Sequence, residues 1–156
     1  ELNELKYAAS SDRVPEPRVG SGEAAAFDLG LPHNVMIPAK KHIYIDLGIS
    51  FDIPEGHYLK IVPRSSTCDQ KGLHGQPLFK NVIVLSNLEG VIDSDYTGNI
   101  KVKLYNNGSE TYLGYQGDYI LQAILQEYTK VNKFTKVAKI TKQTERGDRG
   151  FGSSDE

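Results

Sequence analysis

Between Asn87 and Asn99 the chain packs two carboxylates, Asp93 and Asp95, a phenol, Tyr96, and an amide, Asn87, around the apolar pair Val91-Ile92. A carboxylate is ionised at neutral pH and can take a proton from water. An exposed hairpin would carry Asn-Gly or Asp-Gly at its tip. This stretch instead puts Asp93 at its centre. The competing reading is a capped turn, because Asp side chains bond nearby backbone N–H groups. Taken alone, the segment favours the capped turn by about two to one, since short patterns match by chance.

Three further stretches could do chemistry. Pro63-Arg64-Ser65-Ser66 offers a planar fork and two hydroxyls to an anion, or is a surface turn. Gln122 is a lone amide in an apolar run, and left unsatisfied in a core it would cost about 1–3 kcal/mol. It is read either as a bonded or solvent-facing Gln, or as a group kept for a ligand. Arg146-Gly147-Asp148-Arg149-Gly150-Phe151-Gly152-Ser153-Ser154 combines two arginines and Gly-Ser amides, which suit phosphate oxygens, with an aromatic that could stack on a base. It lacks the Gly-Lys-Ser/Thr ending of a Walker loop. By composition the segment 141–156 cannot hold itself folded, so a frayed tail is the plainer reading.

Strands must position these groups. Ile43 to Phe51 alternates apolar and polar residues, as a half-buried strand does. Tyr58 to Val62 is a second strand and runs into Pro63. Val82 to Leu85 and Ile100 to Tyr105 flank Asn87–Asn99, giving strand, tight turn, strand. Asp69 to Gln76 reads as a loop. Asn106-Asn107-Gly108-Ser109 reads as a hairpin turn, followed by a short strand over Thr111–Tyr115. Tyr119 to Leu125 is a buried strand, and Tyr128–Val131 with Phe134–Ile140 adds one or two more. Glu1 to Glu23 reads as a short edge strand followed by an irregular arm. Ala24 to Gly30 leaves room for about one helical turn. Short strands between turn signals, with no sustained helical period, predict an all-β sandwich or barrel. The expected division is a β-barrel domain over 1–140 and an arm over 141–156.

The 156 residues fit one domain with a real core. A net charge of −2 suggests neither nucleic acid nor a membrane surface as partner. No run approaches transmembrane length, and no charged-then-apolar leader begins the chain. Cys68 is the one cysteine, which excludes an intrachain disulfide and fits a reducing compartment. An intracellular, cytoplasmic setting is therefore expected, or the host cytoplasm for a viral source. His33, His42, His57 and His74 fall in no zinc-type spacing.

Together these stretches resemble the five ordered motifs of the trimeric all-β dUTP pyrophosphatases (dUTPases). The matches are Ala25-Ala26-Phe27-Asp28-Leu29, Pro63-Arg64-Ser65-Ser66, Gly90 to Gly98, Gly117-Asp118-Tyr119-Ile120-Leu121-Gln122, and Arg146 to Ser154. Each is weak alone; five in order over most of the chain are strong. The resemblance implies a jelly-roll-like distorted β-barrel subunit and a homotrimer with sites at subunit interfaces. It implies hydrolysis of dUTP to dUMP and pyrophosphate, with Mg²⁺ bound mainly through the triphosphate. That reaction keeps uracil out of DNA and supplies dUMP for dTMP synthesis.

Carried over by position, Asp93 deprotonates the attacking water. Asn87 and the backbone of Gly90, Val91 and Ile92 bond the uracil edge. Tyr96 packs under the deoxyribose and excludes a 2′-OH. Arg64, Ser65 and Ser66, supplied by a neighbouring subunit, hold phosphate oxygens. Gln122 contacts the α-phosphate region or the water, and Asp28 lies near the metal through water. Phe151 stacks on uracil as the arm closes, while Arg146, Gly152 and Ser153 grip the terminal phosphates.

Several positions depart from the pattern. Ala26 stands for Gly, Thr97 and Asn99 for Arg and Glu, and Ser154-Asp155 for Thr-Gly. Asp69 to Lys80 looks inserted, and a protein partner could use it. Two alternatives follow. One is a dCTP deaminase or bifunctional relative on the same fold, which would need a carboxylate activating water at the pyrimidine C4. The other is a nucleotide-dependent regulator that binds another protein.

Overall fold

The structure, a computed structural model, describes residues 4–64, 69–71, 77–80, 83–87 and 89–152. Every regular element among them is a strand. In chain order these are β1 (Tyr7–Ala9), β2 (Arg18–Val19), β3 (Phe27–Gly30), β4 (Val35–Ile37), β5 (His42–Asp46), β6 (Ile49–Phe51) and β7 (His57–Pro63). After these come β8 (Asp69–Lys71), β9 (Pro77–Lys80), β10 (Ile83–Leu85), β11 (Gly90–Asp93), β12 (Lys101–Asn106), β13 (Tyr112–Gly114) and β14 (Tyr119–Glu127). A five-stranded sheet runs β11-β7-β14-β3-β2, and a three-stranded sheet runs β10-β12-β5. The pairs β1-β6, β13-β4 and β8-β9 complete an antiparallel, jelly-roll-like fold.

Period-two alternation builds the core. Leu59 and Ile61 of β7, Leu121 and Ala123 of β14, Val102 and Leu104 of β12, and Ile83 and Leu85 of β10 are buried in one apolar cluster. Burying each of the larger side chains contributes about 1.5–3 kcal/mol. A register shift between Tyr119 and Leu121 lets neighbouring Ile120 and Leu121 both be buried. Tyr112 lies at the edge of this core; burial pushes its phenol up from 10.0, and the Asp118 carboxylate pushes the same way.

Several expectations need correction. The alternation over Ile43–Phe51 is two strands, because Gly48 takes φ 69, a conformation that a Cβ resists. There the chain leaves β12 for β1, yet Ile45, Leu47, Ile49 and Phe51 all stay buried. Ala24 to Gly30 holds no helical turn; pairing of Phe27–Gly30 between β14 and β2 outweighs alanine propensity. Asn106 to Ser109 does not join a hairpin, since β12 pairs with β10 and β5 whereas β13 pairs with β4. The buried Asn106 amide instead donates to Ile37 O at 2.9 Å and Glu110 O at 2.8 Å. Its Oδ1 accepts from Gly108 N at 2.9 Å, so a side chain anchors the change of sheet.

The loop expected over Asp69–Gln76 contains β8, which pairs with β9 from Asp69↔Lys80 to Lys71↔Pro77. Residues 72–76 lie outside the described residues. Tyr128–Val131 and Phe134–Ile140 form no strand. Their apolar residues Tyr128, Val131, Phe134, Val137 and Ile140 recur every third position, and a strand face needs every second. Phe134 is 88% exposed and Ile140 81%.

Candidate functional site

Two clusters of functional side chains stand at different places along β7. The first gathers where β7 ends. Arg64 donates its backbone N–H to Ile120 O and its Nη1 to Tyr119 O at 2.8 Å. Its Nε lies 3.2 Å from Asp28 Oδ1. The other oxygen of Asp28 accepts from Arg18 Nη2 at 3.3 Å. Antiparallel register explains the convergence: Gln122 stands opposite Asp28 on one side and Val62 on the other. The Gln122 side chain is half-buried and donates to Pro63 O at 3.2 Å. Its place in an apolar run follows from the pleat, which turns Leu121 and Ala123 inward and Gln122 away from them. Ser65 and Ser66, expected beside Arg64, lie outside the described residues.

The second cluster is the Asn87–Asn99 stretch. Its flanks pair as expected, β10 with β12, but the link between them is not a tight turn. It contains β11, which crosses to pair with β7 from Gly90↔Ile61 to Asp93↔Tyr58. Asn87, Gly90, Val91 and Ile92 line one open cleft of about 560 Å³, together with Tyr44 and Lys103. Val91, Ile92, Asp93 and Tyr96 line a second hollow of about 310 Å³. Asp93 is exposed and also faces a third concavity with Asp95 and Tyr128. The Tyr96 hydroxyl donates to Asn99 O at 2.6 Å. Its ring covers Gly98, where a Cβ would lie 2.9 Å from the phenol oxygen, so only glycine leaves the ring in place.

The two clusters do not meet within one chain. Asp93 is level with Tyr58, whereas Arg64 follows Pro63 at the far end of the same strand. Six residues of extended chain separate these positions, about 20 Å. The described residues 144–152 hold a third group of the expected side chains. Arg146 and Arg149 bond each other's carbonyls at 2.7 and 2.9 Å, and Gly147 N–H donates to Thr144 Oγ1 at 2.9 Å. Phe151 is fully exposed and Gly152 takes φ 74. Ser153 lies outside the described residues.

Sequence reasoning missed Arg18, which sits on a two-residue strand with no pattern around it. It also passed over Lys101 and Lys103, which line the Asn87 cleft. The signal for these was present, since the alternation Lys101-Val102-Lys103-Leu104 puts both lysines on one face. Among the described residues no three His, Cys, Asp or Glu side chains are grouped to hold a metal ion.

The dUTPase family model matches residues 12–155. The chain is 36% identical over 150 residues to the deoxyuridine 5'-triphosphate nucleotidohydrolase of Yarrowia lipolytica, covering 96% of this chain and 88% of that one. It is 38% identical to the Helicobacter hepaticus enzyme of that name, over 88% of this chain and 80% of the relative. Its fold is similar to that of the Staphylococcus bacteriophage 80alpha dUTPase solved with dUPNHPP, with TM-score 0.83 and 19% identity over 98% of this chain and 99% of that one. It is also similar to the dUTPase of S. aureus phage phi11, whose structure shows a species-specific insert, with TM-score 0.75 and 17% identity over 89% and 99% of the two chains. By the match of the family model over residues 12–155, and by its identity of 36% and 38% with relatives covered to 88% and 80% of their length, this chain belongs to the dUTPase family.

Proposed function

We propose that this chain hydrolyses dUTP to dUMP and pyrophosphate, with Asp93 activating the water that attacks the α-phosphate. The observation that supports the reading is that Asn87, Gly90, Val91 and Ile92 line one cleft, while Asp93 and Tyr96 line a second hollow that shares Val91, Ile92 and Lys101 with it. Main-chain groups of β11 and the Asn87 amide read the uracil edge. The Tyr96 ring, pinned through its hydroxyl to Asn99, closes the space that a ribose 2′-OH would need. Arg64, Ser65, Ser66 and Gln122 hold the phosphates. Arg146, Gly152 and Ser153 grip the terminal ones as Phe151 stacks on the base. Phosphoryl chemistry asks mainly for positioning and charge neutralisation, which these groups supply. A carboxylate that accepts the water's proton completes the set.

Mg²⁺ fits this site as a passenger of the triphosphate rather than as an ion caged by protein. Asp28 is the carboxylate beside Arg64, and both its oxygens face guanidinium groups. Mg²⁺ keeps several waters and binds through few carboxylates plus substrate phosphates, so Asp28 would hold it through water. When bound, the ion offsets phosphate charge. The cytoplasmic setting, or host cytoplasm for a viral source, belongs to the same proposal; no helix among the described residues is long and apolar enough to cross a membrane.

The gap along β7 supports a site shared between copies, in a homotrimer. A complementation experiment tests this. Asp93→Asn and Arg64→Gln chains, each inactive, are refolded together. Random mixing then leaves about a quarter of shared sites with neither lesion, and about a quarter of wild-type activity returns. No recovery would place the whole site in one chain. The reaction itself is tested with dUTP, dCTP, dTTP and UTP, following pyrophosphate and ammonia, with and without Mg²⁺. Pyrophosphate from dUTP alone is expected. Comparable turnover of all four would end the specificity claim, and ammonia from dCTP would favour the deaminase.

The β8–β9 hairpin is the proposed surface for a protein partner. It pairs with itself and joins no other sheet among the described strands. Removing residues 69–80 is expected to leave dUTP turnover intact while abolishing capture of a partner; capture unchanged by the deletion would leave the surface without support.

A further inference from the structure

We propose that Arg18 is a positioning residue for the phosphate-binding Arg64, acting through Asp28 and Tyr119. The inference rests on the reading of Arg64 as a phosphate ligand. Arg18 stands opposite Asp28 in the β2–β3 register, so a two-residue edge strand delivers it to the carboxylate. The Asp28 side chain is 13% exposed and divides its oxygens between the two guanidinium groups. A second link runs through Tyr119. The Arg18 Cζ lies 3.9 Å from the centroid of the Tyr119 ring, and the Tyr119 carbonyl accepts from Arg64 Nη1. The ring is itself anchored, since its hydroxyl donates to Glu16 O at 2.7 Å.

The consequences for Arg64 are geometric and electrostatic. Among the described residues its Nε is engaged by Asp28 and one Nη1 N–H by Tyr119 O, which fixes the orientation of the guanidinium and aims its remaining N–H groups at an oxyanion. A lone Asp28–Arg64 pair would carry no net charge and would compete with an incoming phosphate for the same guanidinium. With Arg18 drawing on the other oxygen, the group of three carries one net positive charge. The carboxylate also cannot turn both oxygens onto Arg64. Arg18 thereby keeps Arg64 both aimed and available. A lysine in its place would restore the charge but neither the planar fork nor the stacking on Tyr119.

Full-length wild type, Arg18→Gln, Arg18→Lys, Asp28→Asn and the Arg18→Gln/Asp28→Asn double variant would be compared in pyrophosphate-release kinetics on dUTP. Arg18→Gln is expected to raise KM about tenfold with kcat nearly unchanged, since weakened charge-assisted phosphate binding acts before the chemical step. Arg18→Lys should recover part of that loss. In the Asp28→Asn background Arg18→Gln should have a smaller effect than in wild type, because the link through the carboxylate is already cut and only the one through Tyr119 remains. A loss in kcat at constant KM, or effects of the two substitutions that multiply fully, would overturn the proposal. Binding of inorganic triphosphate, measured by calorimetry on the same proteins, gives a readout independent of turnover. Weaker binding to Arg18→Gln than to wild type is expected even should wild type leave dUTP intact, an outcome that would sink the functional reading alone; equal binding would sink the role of Arg18. Should Arg18→Gln fail to fold, Arg18→Lys carries the same comparison.

Discussion

Asp93→Asn is expected to lower kcat on dUTP by about 10²- to 10⁴-fold, the range that a positioned general base contributes. The amide keeps the shape of the carboxylate but cannot take the proton of the attacking water. Asp93 makes its structural contribution through the backbone: its carbonyl accepts from Tyr96 N at 3.1 Å, and its residue pairs with Tyr58 across β11 and β7. Neither link uses the side chain, which is exposed. The substituted protein should therefore keep its fold and its affinity for a non-hydrolysable dUTP analogue. Steady-state pyrophosphate release, with calorimetric binding of the analogue, checks both halves. Turnover at the wild-type rate would remove Asp93 from its role, whereas loss of binding would make it a substrate ligand instead.

Ending the chain at Thr144 is expected to cut kcat/KM on the order of 10²-fold, because closure over a bound ligand excludes water and completes the site. The truncation removes Arg146, Phe151 and Gly152. Among the described residues the side-chain hydrogen bonds of Arg146 and Arg149 reach only carbonyls of residues 145–149, and Phe151 is not part of the apolar core. Circular dichroism and the thermal midpoint should thus be preserved. Kinetics unchanged by the truncation would leave the arm without a part in catalysis.

The strands were legible because alternation is a local property: Ile45, Leu47, Ile49 and Phe51 are buried whether or not the strand breaks at Gly48. Sheet membership was not, since it depends on partners far along the chain. Asn106 shows the difference. Its Asn-Asn-Gly-Ser surroundings read as a local hairpin, but its side chain reaches Ile37 O, 69 positions away, and the strands on either side pair elsewhere. Gln122 was visible as a polar residue in an apolar run, and the pleat accounts for it. The joining of Arg18, Asp28 and Arg64 could not be read in advance, because β2, β3 and the end of β7 become neighbours only through β14 and β3. The stretch from Tyr128 to Ile140 was misread because an apolar residue every third position was counted as strand.

The chain that follows β14 also sets a length scale. From Tyr128 to Phe151 the chain runs 24 residues, about 80 Å when fully extended. A folded body of this size has a radius of gyration of only about 14 Å. On the proposed stacking of Phe151 on uracil, this residue acts as a tethered ligand whose reach exceeds the molecule that carries it. Its local concentration at a given uracil pocket is a function of tether length, falling slowly as residues are added and vanishing once the remaining chain cannot span the distance.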